Sequence, residues 1–224
     1  MGPAIRIATR VGFCVLAAAS APLAHSGEVV VRVFDEHGEP VPDIAVYAEP
    51  LDSSVSGGAV AGGPPAIMDQ IGSQFVPHIL VVQTGAEVFF PNNDTVSHHV
   101  YSFSEAKTFQ LDLYRGNPHP PQVFDKAGLV VLGCNIHDSM LGFILIVDTP
   151  FFGKTDAEGE TRLPGLQGGY RVNIWTPRVG ERHLPVAQEV SLAASENRDV
   201  TFQFAVKLQP PHSTDPGSLE WKHY

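Results

Sequence analysis

Cysteine is almost missing from this chain: two in 224 residues, Cys14 and Cys134. A framework of several disulfides is therefore excluded. Long apolar runs are missing too, and none approaches the roughly 20 residues of a membrane-spanning helix. No stretch sustains the 3.6-residue apolar period of a long helix. Basic residues are few: Lys and Arg number 14 against 24 Asp and Glu, a formal net charge of −10. That balance argues against nucleic acid, which selects a basic face, and suits a basic protein partner or plain solubility. Methionine is scarce as well, with three in all.

What is abundant is turn chemistry: 21 Gly and 19 Pro, with 43% hydrophobic residues to build a core. This composition predicts an all-β protein with many turns. Residues 1–26 read as a signal peptide. Arg6 and Arg10 precede the apolar core "VGFCVLAAAS", and small residues follow. Cleavage after Ala24 or Ser26 brings the net charge to about −12 and removes Cys14. Cys134 is then the one thiol of an exported protein, unable to form an internal disulfide, and it needs another explanation.

Three β-rich blocks follow. Residues 27–50 carry "EVVVRVFDEHGEPVPDIAVYAEP", a hairpin pattern with Val29, Val31 and Val33 on one face. Residues 51–66 are rich in Gly, Ser and Pro and read as a linker. Residues 67–149 hold the strand patterns "HILVVQ", "EVFFPN", "HHVYSF", "LVVLGC" and "GFILIVD", separated by turn signals. Residues 150–208 contain the turn "DAEG" and the strands "YRVNIW" and "DVTFQFAVKL", and 209–224 form a Pro-rich polar tail read as disordered.

The chemistry gathers in the middle block. "GCNIHDSM" places Cys134, His137 and Met140 at three-residue intervals, and "SHHV" offers His98 and His99 at the head of an earlier strand. Two imidazoles, a thiolate and a weak axial thioether are the donors of a monocopper electron-transfer site. Taken singly, each residue has a plainer reading: Cys134 as a small buried hydrophobe, Met140 as core filler, His99 as the ligand in place of His98. Adjacent strand residues face opposite ways, so His98 and His99 cannot both ligate from one face. A catalytic cysteine needs a base and an orienting group. Zinc suits the Met poorly.

These residues resemble the cupredoxins, the blue copper proteins of the plastocyanin and amicyanin kind, over Ile67 to Asp148. "VFFPNND" resembles the strand and turn before the first ligand, "VFDKAGLVVLGC" the strand leading to the Cys, and His137-x-x-Met140 the short amicyanin spacing. The resemblance is most specific to exported cupredoxins labelled methylamine-utilisation proteins. It implies a Greek-key β-sandwich holding one type 1 copper ion through His98, Cys134, His137 and Met140. It further implies a periplasmic or secreted one-electron carrier, not an enzyme. The partner is then a redox protein such as a c-type cytochrome or a dehydrogenase, with no nucleic acid and no membrane span involved. Where the family has Asn after the first ligand, this chain has His99, and Asn135, Ile136, Asp138 and Ser139 occupy loop places the family often gives to proline. A second Cys in the loop and paired His-x-His motifs are absent, against a dinuclear copper centre or a multicopper oxidase. Copper trafficking and a metal-free adhesion or assembly module remain as alternatives.

The flanking blocks resemble the two halves of a carboxypeptidase-regulatory-like, Ig-like or transthyretin-type β-sandwich. The carriers are "VFDEHGEPVPDIAVYAEP" and "GKTDAEGETRLPGLQGGYRVNIW". Each half alone has too few strands for a core, so the expectation is one accessory sandwich split by the cupredoxin block.

Overall fold

The structure, a computed structural model, describes residues 27–52, 65–179, 186–193 and 196–210. The signal-peptide reading, most of the linker and nearly all of the tail lie outside the described residues. The fold is all-β. Seventeen strands and one short 3-10 turn, Pro177–Val179, make up the described elements, and no helix among them is long and apolar enough to cross a membrane.

The centre is a cupredoxin-like β-sandwich. Its larger sheet has the order β6-β12-β11-β8-β9, from β6 (Ile79–Gln83), β12 (Leu141–Val147), β11 (Gly128–Gly133), β8 (His98–Ser104) and β9 (Lys107–Tyr114). A smaller sheet, β10 (Gln122–Phe124), β7 (Ala86–Phe89) and β3 (Ala66–Ile67), faces it. The hairpin of β4 (Asp69–Ile71) and β5 (Gln74–Val76) is bridged through Gln70 to Asn92, in the turn that leads to β8. Alternation sends Val130 and Leu132 of β11, Ile144 and Ile146 of β12 and Val100 of β8 into one buried cluster with Phe124, Cys134 and Met140.

The chain on either side of this block builds two further sheets. β1 (Glu28–Phe34) lies between β14 (Glu160–Pro164) and β17 (Arg198–Gln203). β2 (Ala45–Pro50) lies between β13 (Phe152–Lys154) and β15 (Gly168–Trp175), which also pairs with β16 (Val186–Leu192). Val29, Val31 and Val33 face Val46, Ala48, Val172 and Ile174 in a second cluster, closed by Phe202 and Leu208. Thr155 ties the two segments: its hydroxyl donates to Val41 O at 2.7 Å and accepts from Ile44 N–H at 3.0 Å.

A third cluster joins the sandwiches. Ile79, Phe143, Leu145 and Val147, on the outer face of the five-stranded sheet, meet Ala45 and Trp175. The Phe143 and Trp175 rings lie 5.6 Å apart, edge to face. β12 is thus buried on both faces for six of its seven residues, which explains its near-continuous apolar sequence.

The sequence patterns located most strands to within two residues. β3, β9, β10, β13, β16 and the β4–β5 hairpin carry no expectation, and "DVTFQFAVKL" stops pairing at Gln203.

Candidate metal centre

β8 opens on His98, β11 ends on Gly133, and β12 begins at Leu141, so the seven residues between the last two strands form a loop at the end of the sandwich beside His98. Cys134 leaves β11 on the inward face and is buried. The loop doubles back where Met140 N–H donates to His137 O at 2.9 Å. That turn returns Met140, also buried, to the cluster that holds Cys134.

The result is a convergence of donors. One ligand atom each from His98, Cys134 and His137 lies within 4.8 Å of the others. Cys134 Sγ is 3.9 Å from His98 Nδ1, and the rings of His98 and His137 are 4.9 Å apart. Donors at these spacings fit around one ion whose bonds to N and S run about 2.0–2.3 Å. His98 is fully buried. Its other nitrogen, Nε2, lies 2.8 Å from Asp94 Oδ2. His137 Nδ1 is buried with no hydrogen-bond partner in the protein. A buried, unpartnered imidazole nitrogen costs free energy unless something binds it, so the donor set fits a metal ion.

His99 takes the opposite face of β8. It is buried, and its ring sits 5.8 Å from that of Tyr101, outside the donor group. Its Nδ1 is also without a partner; this nitrogen has no explanation in the structure. The other described histidines lie outside the donor group. His78 packs edge to face on Phe143 at 5.2 Å, and His119 on Tyr114 at 4.7 Å.

Asp94 is the residue that sequence reasoning passed over. Burial pushes its carboxyl up. The hydrogen bonds from His98, from Ser73 N–H and from Thr95 N–H outweigh this and bring it down to about 2. The one signal available was its place in "NNDTVSH", four residues ahead of His98. Asn92 braces the same turn: its side-chain amide donates to Val96 O at 3.0 Å and Tyr114 O at 2.7 Å.

Two imidazoles and a thiolate, with a thioether in the same cluster, form a set whose soft sulfur atoms select copper over hard cations. The loop presents Ile136, 52% exposed, and the charge of Asp138 to solvent beside His137.

No family model and no curated protein matches the chain. Among solved structures, a purple cupredoxin from Nitrosopumilus maritimus is similar at 20% identity, with 36% of this chain and 98% of that one covered, at a TM-score of 0.33. A reduced Cu(I) form of an amicyanin mutant is similar at 19% identity, covering 45% and 98%, at 0.34. A copper-containing nitrite reductase from Thermus scotoductus SA-01 is similar at 26% identity, covering 44% of this chain and 27% of that one, at 0.35.

Proposed function

We propose that this protein is an exported blue copper protein that carries single electrons between redox partners. The observation that carries the reading is the meeting of His98, Cys134 and His137 donor atoms within 4.8 Å at a buried place where His137 Nδ1 has no protein partner. His98 Nδ1, Cys134 Sγ and His137 Nδ1 would hold the ion as the three strong donors, with the Met140 thioether as a weaker fourth. Bound copper supplies a one-electron couple between Cu(II) and Cu(I). The protein's part is to hold a geometry tolerable to both states, so that little rearranges on transfer. β8 and β11, hydrogen-bonded neighbours, fix two of the ligands from a rigid sheet, and the packed cluster excludes water from the sulfur. His137 sits half-buried on the exposed loop and is the shortest way out for an electron. Nothing in this role makes or breaks a substrate bond, so the protein is a carrier and not an enzyme. The partner is a redox protein such as a c-type cytochrome or a dehydrogenase, met in the periplasm.

Residues 27–50 and 150–208 are read as one accessory sandwich of the carboxypeptidase-regulatory-like, Ig-like or transthyretin type, interrupted by the copper domain at 67–149. Its pairings across the interruption, such as Ala45 with Lys154 and Val29 with Leu163, favour this division.

Adding Cu(II) to the purified protein tests the electron-carrier reading. The expected result is an intense thiolate-to-copper band in the visible spectrum, lost in Cys134→Ser and only mildly changed in His99→Ala. A folded protein that stays colourless overturns both the function and the ligand set.

A further inference from the structure

The Asp94 carboxylate is held in place from several directions. Its Oδ2 accepts Ser73 N–H at 2.6 Å and its Oδ1 accepts Thr95 N–H at 2.6 Å, with the Thr95 hydroxyl at 3.3 Å. Its own N–H donates to Asn92 Oδ1 at 2.9 Å. The side chain is 9% exposed. Ser73 comes from the two-residue turn of the β4–β5 hairpin, where Gly72 (φ 58) and Ser73 (φ 57) both take the left-handed conformation. This is the conformation that two-residue hairpins favour. The same hairpin grips the ligand turn a second time, through Asp69 Oδ2 and the Asn93 side-chain amide at 2.7 Å. The carboxylate is therefore fixed before the His98 ring is considered.

An ionised carboxylate only accepts, so the His98 Nε2 that lies 2.8 Å from it carries the proton. In the neutral ring the lone pair is then on Nδ1, the atom 3.9 Å from Cys134 Sγ. We propose that Asp94, presented by the β4–β5 hairpin tip, is the positioning residue of the metal centre. It locks His98 in the one tautomer that can ligate through Nδ1, and its charge makes that imidazole a stronger donor. A stronger donor favours Cu(II) over Cu(I), so Asp94 also holds the reduction potential down. This second consequence rests on the copper reading; the tautomer lock does not.

Two measurements test the proposal. In metal-free protein, nitrogen NMR of the His98 ring is expected to give Nε2–H alone in the wild type and a mixture of tautomers in Asp94→Ala. With Cu(II), competition titration is expected to give a 10- to 100-fold weaker affinity in Asp94→Ala, and voltammetry a higher potential. Asp94→Asn keeps the side chain's shape and guards against loss of fold; it is expected to raise the potential as well. Asp94→Glu is expected to restore part of both effects. A wild-type ring protonated on Nδ1, or a variant ring that stays wholly Nε2–H, overturns the lock. Unchanged affinity and potential in a blue Asp94→Ala protein overturn the tuning. A colourless wild type instead overturns the copper reading, while the NMR result still decides the lock.

Discussion

Gly133 is the last residue of β11, next to Cys134, and it pairs with Leu141 on one side and Tyr101 on the other. Its φ is not in the left-handed region, so any cost of a side chain there is steric. A Cβ at Gly133 would lie 2.7 Å from both Cζ and the hydroxyl of Tyr101, and 3.2 Å from Cε1. Carbon contacts settle at about 3.5–4.0 Å, so the ring must retreat by about 1 Å. The ring stands in a row with His99 at 5.8 Å and Phe103 at 5.2 Å, the neighbours it would shift against. Overpacking of this kind costs about 1–3 kcal/mol. Against it stands the gain from removing a glycine in a strand, about 0.5–1 kcal/mol. Gly133→Ala is therefore expected to destabilise the protein by up to about 2.5 kcal/mol in urea unfolding of the metal-free form. In a Tyr101→Ala background the obstacle is gone, and the same change is expected to stabilise by about 0.5–1 kcal/mol. The reversal of sign is the diagnostic. Equal destabilisation in both backgrounds would refute the claim that the Tyr101 ring occupies the space a Cβ needs.

Tyr114 gives a pH prediction. Burial, with the nearby charges of Asp69 and Cys134, pushes its phenol up to about 12, although a hydrogen bond from Gln70 opposes this. The unfolded phenol ionises near 10, so between pH 10 and 12 the unfolded state holds fewer protons and stability falls as pH rises. The expected loss is about 2–3 kcal/mol, read from denaturation across that window, and a Tyr114→Phe protein that loses as much would count against it. Trp175→Ala, which empties the junction against Phe143, is expected to cost about 3–5 kcal/mol in denaturant unfolding. A change under about 1 kcal/mol would mean that the two sandwiches hardly support each other.

The meeting of His98, Cys134 and His137 at one end of the sandwich was legible because its signals are local. Cys134, His137 and Met140 lie in one loop, and strand alternation separates His98 from His99 without reference to the rest of the fold. The Val-rich β1 and the central strands were legible for the same reason: a period of two survives in any context. The Asp94 clamp was not. It depends on β4 and β5, three residues each, too short to display a period, although Gly72-Ser73 is a turn signal. β9 and β16 escaped because they are edge strands with mostly exposed side chains, so no apolar face marks them. The mixture of parallel and antiparallel neighbours around β1 lies outside what alternation encodes, since pattern gives a face and never a partner.

β1 stands between β14 and β17, strands made long after it; the Arg162–Glu28 ion pair beside it closes a span of 134 positions. During synthesis, "EVVVRVF" therefore emerges with no strand to pair with along most of its length until residues beyond 160 arrive; only its end is met earlier, by the local bridge of Phe34 to Pro40. The central block meets no such delay, because all its partners lie within its own span. Any chain cut short before β14 displays an open-edged, Val-rich strand, the pattern that recruits other chains. Late arrival of its partners makes the first strand the molecule's chief exposure to aggregation, and truncation from the C-terminal side the surest way to provoke it.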